Sequence, residues 1–211
     1  MRLRKRPLFM TVCVIIFAPS AGAQTEISGS QSGTLGPGTY LVTGEISVES
    51  GNSLTIAPGT TFFHNGNHKW IISGHLTAEG AEGDSILFVR QDPVVEHRWG
   101  GLRFQTGAPA AILDYCVIDH CYMPDYTGPN ASITVNGSQG LTLKHSRVSN
   151  GACNNDHGGI YAANTTVIIE NCVIRDNEAV NHPKGVGVFL ENCTDSQILY
   201  SVIGDNRSDG A

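Results

Sequence analysis

The chain has 211 residues, of which 25 are glycine and only 15% are charged. Thirteen Lys and Arg stand against 19 Asp and Glu, a formal net charge of -6. One domain is natural at that length, and a hydrophobic fraction of 40% argues against wholesale disorder. The acidic balance speaks against nucleic-acid binding through a general basic field.

Residues 1–23 read as an export signal. Arg2, Arg4, Lys5 and Arg6 precede an apolar run over residues 8–18, and small residues then end in an Ala-x-Ala pattern at Ala23. The run is about half of the roughly 20 residues a spanning helix needs. The expectation is a secreted protein, extracellular, periplasmic or on the outer surface, and not transmembrane. Cleavage after Ala23 removes four basic residues and leaves 9 Lys and Arg against 19 acids, a net charge of -10.

Residues 24–39 are expected to lead into or cap a repeat domain that spans 40–211. Leu113, Leu143, Ile169 and Ile198 begin equivalent octapeptides with offsets of 30, 26 and 29. Each reads apolar, two variable, Cys or Ser, one variable, Ile or Val, one variable, then Asp, Asn or His. A short strand precedes each copy, at Leu102, Ile133, Ile160 and Val188. In the N-terminal half, residues 42–49 match 72–79 at an offset of 30. Short strands at such a period, with Gly, Asn, Asp and Pro at the corners, predict an all-β parallel β-helix of about six coils spaced about 4.8 Å apart. The last copy stops at Asp209, Gly210 and Ala211. That end is expected to be uncapped or truncated, with association or missing downstream domains covering it.

The segment Gly38-Thr39-Tyr40-Leu41-Val42-Thr43-Gly44 begins a likeness to a known family. It continues through Leu54-Thr55-Ile56-Ala57-Pro58-Gly59-Thr60, residues 74–80, Ile86-Leu87-Phe88 and Trp99-Gly100-Gly101-Leu102. These stretches, and the repeats after them, resemble secreted bacterial right-handed parallel β-helix proteins of the pectin-lyase-like superfamily. The resemblance implies a right-handed column. Its members include lyases, hydrolases, epimerases and adhesins, so it implies no single activity.

Strand alternation sorts the side chains. Leu102 and Phe104, Ile133 and Val135, Ile160 and Ala162, and Val188 and Leu190 should face inward. Arg103, Thr134, Tyr161 and Phe189 should then form one exposed outward row. Aromatic faces meet pyranose rings and Arg pairs with hydroxyls or carboxylates, so this row is the candidate surface for a polysaccharide or cell-surface glycan. The alternative is a structural or adhesive protein in which the rings only stabilise the sheet.

Three polar loops, 120–126, 150–157 and 176–184, should flank the row at one edge. His157, His182 and Lys184 are candidate bases, and Asp156 and Asp176 candidate acids, for a polysaccharide lyase or glycoside hydrolase. Asp125, Asp156 and Asp176 are candidate ligands for Ca2+. Asp119, His120 and His145 offer the same chemistry, but all these residue types are also ordinary turn formers. His64, His68 and His75 have no zinc-site spacing. Cys116 and Cys172 read as small buried rung residues that alternate with Ser146 and Ser201. Cys121 and Cys153, in equivalent loops, are the expected disulfide.

Overall fold

A computed structural model describes residues 24–124, 129–154, 157–180 and 184–208. Among these the regular structure is β apart from one short 3-10 turn, Val95–His97. All the strand ladders are parallel. The arrangement is a parallel β-helix.

One face stacks Gly33–Leu35, Ser53–Ile56, His75–Glu79, Ala111–Asp114, Leu141–Lys144, Val167–Glu170 and Gln197–Leu199. A second stacks Thr60–His64, Ile86–Arg90, Cys116–Asp119, Arg147–Ser149, Val173–Arg175 and Val202–Gly204. A third stacks Trp70–Ile72, Leu102–Phe104, Ile133–Asn136, Ile160–Ala163 and Val188–Glu191. The long strand Gly38–Val48 joins the second and third faces, pairing one with its first half and the other with its second. From the fourth coil on, a short fourth ladder runs from Tyr122–Met123 through Ala152–Cys153 and Glu178–Ala179 to Arg207–Ser208.

The first face holds seven strands. The column therefore has seven coils where the repeat counted about six. The added coil is the segment expected as a lead-in, since Gly33–Leu35 pairs with Leu54, Thr55 and Ile56 as an ordinary rung. The C-terminal register matches the offsets read from sequence: Leu113 lies on Leu143, Leu143 on Ile169, and Ile169 on Ile198. The N-terminal alignment at 30 does not hold. Val42 pairs with His64 and Val48 with Ile72. Coils there are shorter, and a strictly alternating Val/Ile pattern fits several registers equally well.

The corners follow from residue type. Tyr115, His145, Asn171 and Tyr200 sit at one corner with φ of 43° to 53°, and His120, Asn150, Asp176 and Asp205 at the next with φ of 55° to 57°. Asn and Asp tolerate this left-handed region best among non-glycine residues. Between the corners, the interior takes the apolar side chains. In the first coils these are rings: Tyr40, Phe62, Phe88 and Trp99 stack in sequence at 5.4, 5.2 and 6.0 Å. Trp70 meets Phe62 and Phe88 edge-on. Later coils are filled by Ile, Leu, Val, Ala and Cys.

The Cys/Ser alternation works as a ladder. Ser146 Oγ accepts the Cys116 N–H at 2.9 Å, and Ser201 Oγ accepts the Cys172 N–H at 3.0 Å. In the last coil Ile198, Leu199, Val202 and Ile203 are exposed. Among the described residues no helix is long and apolar enough to cross a membrane.

Candidate functional site

The outward row exists in register. Ile71 lies on Arg103, Arg103 on Thr134, Thr134 on Tyr161, and Tyr161 on Phe189. Ser47 continues it below Ile71. Every residue expected inward beside it in the coils of Arg103, Thr134 and Tyr161 is buried. Gly101 admits the chain to this face: it has φ 78°, and a Cβ there would lie 2.5 Å from the Ser132 carbonyl oxygen.

The row is not uniformly exposed, which corrects the sequence reading. Arg103, Thr134 and Tyr161 retain 8%, 7% and 7% of their accessible surface. Pro129, Asn130, Ala131 and His157 lie on the row and do not merely border it. Arg103 Nη1 donates to Thr134 Oγ1 at 2.8 Å and to the Pro129 carbonyl at 3.2 Å, and its Nη2 donates to Asn130 Oδ1 at 3.3 Å. Ala131 packs with Tyr161 and Ala163. His157 lays its ring against Tyr161 at 4.7 Å and Phe189 at 4.5 Å. The two sheet rings are themselves nearly parallel, 6° apart at 5.9 Å. Aromatic pairs of this kind contribute about 0.5–1.5 kcal/mol beyond area burial.

One part of the row stays open. A cleft of about 380 Å3 lies over it, lined by Lys69, Arg103, Gln105, Asn130, Thr134 and Asn136 among others. Lys69, Gln105 and Asn136 were not singled out from sequence. The signal was there, because each lies two residues along the same alternation from Ile71, Arg103 and Thr134. Gln105 and Asn136 each carry an amide donor and acceptor, and Lys69 adds a second cation beside Arg103.

The described acid–base candidates, His157, Asp176 and Lys184, do not line this cleft. His157 is 2% exposed and serves as the cover over Tyr161. Asp176 stands at its corner, ion-paired with Arg175 at 2.7 Å. Lys184 is exposed. Asp125, Asp156 and His182 lie outside the described residues. Among the described residues no group of three or more His, Cys, Asp or Glu could hold a metal.

A second polar cluster sits at the corner after the second face. Asp119 Oδ1 accepts from Ser149 Oγ at 2.7 Å and Asn150 Nδ2 at 2.8 Å, and Oδ2 meets His120 Nδ1 at 2.5 Å. Burial works to raise the Asp119 carboxyl. The bonds from Ser149 and Asn150, with His120, outweigh it and hold the group below its ordinary value. His145 Nδ1 meets Asp114 Oδ1 at 2.9 Å on the neighbouring corner and stacks on Tyr115 at 4.6 Å. These contacts tie adjacent coils together.

The expected Cys121–Cys153 disulfide is not formed; none of the five described cysteines is in a disulfide. The register seats Cys153 on Met123, two residues past Cys121. Two strand positions and one coil separate such residues by roughly 8 Å, beyond disulfide reach of about 7 Å. Burial pushes the Cys121 thiol up to about 12, so it stays protonated. Comparison with known proteins adds no relative: no family model, curated protein or solved structure matches the chain.

Proposed function

We propose that the protein is an exported β-helix of the pectin-lyase-like kind that binds polysaccharide at the cleft over Arg103. The observation that carries this reading is the lining itself. Two cations, three amides and two hydroxyls line a cleft of about 380 Å3 on this sheet face. Sugar hydroxyls each donate and accept, and side-chain amides supply both partners. The volume falls within the range of about 300–1,000 Å3 usual for ligand sites. Lys69 and Arg103 form a local basic patch on an otherwise acidic chain, so neutral and acidic sugars both fit. The proposal is one of binding, since the lining of the cleft speaks to recognition of a sugar and names no reaction.

A structural or adhesive role has one observation of its own. The His157 ring packs against both Tyr161 and Phe189, so these aromatics support the sheet and are not offered to a ligand.

The test is a glycan array probed with the purified protein at physiological salt, followed by calorimetry on any hit. Lys69→Ala and Gln105→Ala are each expected to weaken binding about tenfold, with the thermal midpoint nearly unchanged. A wild type that binds nothing on the array overturns the polysaccharide reading.

A further inference from the structure

The two directions along the outward row are unlike. Below Arg103 the row runs through Ile71 and Ser47, both partly exposed. Above Thr134 it meets Tyr161, which lies beneath the His157 ring and against Ala131. Asn130 and Ala131 are 5% and 0% exposed, and His157 is 2% exposed, so this cover is itself packed. The cleft is a groove closed at one end.

We propose that this groove recognises the end of a glycan chain and not its interior. The inference rests on the polysaccharide reading above. A chain bound through its interior must leave the site in both directions along the face. Along the row it can leave only toward the N-terminal coils, over Ile71 and Ser47. From Ser47 to Thr134 the row climbs three coils, about 14 Å, which is room for a short terminal stretch. The terminal sugar sits against Thr134, Asn130 and Arg103.

The closed end is built from contacts that hold it in place. Thr134 Oγ1 donates to the Ala131 carbonyl at 3.4 Å, and Arg103 bonds both Pro129 and Asn130. The groove wall and floor are thereby one hydrogen-bonded unit. His157 continues the wall by spanning two coils, with one ring against both Tyr161 and Phe189. Opening a passage past Thr134 would break the ring stack and expose Ala131 together with Tyr161.

The experiment uses tetrasaccharides and long polymers of the same repeat, from β-glucan, xylan and polygalacturonate, titrated at equal molarity of chains. End recognition predicts affinities within about twofold between tetrasaccharide and polymer, and one protein per recognised terminus whatever the chain length. Several proteins per long linear chain, with apparent affinity rising about tenfold or more with length, would overturn the inference and leave the polysaccharide reading standing. Failure of both short and long forms of every repeat to bind would instead remove the polysaccharide reading, and the inference with it.

Discussion

The early and late coils of this column solve one packing problem with different residues. In the early coils the interior is a stack of rings from Tyr40 to Trp99, and the one buried imidazole, His64, joins it by lying on Trp99 at 4.2 Å and 11°. In the late coils the interior is aliphatic, and its buried polar groups include hydroxyls and the amide of Asn177. Asn177 Oδ1 accepts the Gly151 N–H at 3.0 Å, while its Nδ2 donates to the Val148 carbonyl and to Asn206 Oδ1. Asn206 in turn donates to the Ile174 carbonyl at 3.0 Å. The rings of the late coils lie outside, as the Tyr161–His157–Phe189 stack. The lesson is that stacked rings serve as core in one half and as cover in the other. Parity of strand position decides it for Phe62 and Tyr161, while His157 is brought onto the outer rings by the loop that carries it.

The sharpest test of the contrast is Phe62→Ala. Phe62 touches Tyr40, Trp70 and Phe88, so its loss opens a cavity that reaches into neighbouring coils. The expected loss is about 3–5 kcal/mol, read from the urea midpoint. Ile174→Val, in the aliphatic half, should lose only about 0.5–1.5 kcal/mol. A Phe62→Ala loss as small as that of Ile174→Val would mean the ring stack is not packed as a core.

Much of this architecture was legible in the sequence. Leu113, Leu143, Ile169 and Ile198 announced their register because one face is buried and a slip would turn each of them outward. Cys116 and Cys172 were read as buried rungs for the same reason. The N-terminal register was not legible, since short coils rich in Gly, Thr and Val alternate without a marker residue. The cover over Arg103 and Tyr161 was hidden for another reason: Pro129–Ala131 and His157 look like ordinary loop, and only tertiary packing decides whether a loop borders a face or lies on it. Asn177 and Asn206 were missed although each follows an Asp at a corner, 29 residues apart. Asn is so common in turns that its inward-facing copies do not stand out.

The amide ladder gives the second test. Asn177→Ala leaves the Gly151 N–H without its acceptor and removes one donor each from the Val148 carbonyl and Asn206 Oδ1, the latter keeping the Asn177 backbone N–H. An unsatisfied buried group loses about 1–3 kcal/mol, so a total of roughly 2–3 kcal/mol is expected. Hydrogen exchange should show the Gly151 amide losing protection first. Unchanged protection at Gly151 would assign the polar support of the late coils elsewhere.

The smallest effect follows from the chemistry that separates the two polar interiors: amides do not titrate, and imidazole does. Trp70 Nε1 donates to His64 Nε2 at 3.1 Å, and His64 Nδ1 donates to the Val89 carbonyl at 2.9 Å. Both ring nitrogens are engaged in the neutral form. Burial lowers the His64 pKa from 6.5 to about 3, against a smaller opposing pull from the Val89 carbonyl. Above pH 6.5 the ring is neutral folded and unfolded, and its contribution is complete. Below that, the unfolded chain takes up a proton that the native ring refuses, so stability falls with pH until about 3. By about pH 5 the loss should reach roughly 2 kcal/mol, read from urea midpoints. Burial also lowers His68, whose smaller contribution has the same sign and is removed in a His68→Gln control. Asp119 is held below the ordinary carboxylate range and acts only at lower pH. His64→Gln should be less stable throughout but nearly flat over this window. Hydrogen exchange in acid should open Thr60–His64 and Trp70–Ile72 before the late coils. If the late coils open first, or His64→Gln keeps the full slope, acid sensitivity does not divide the column at the boundary between ring core and amide core.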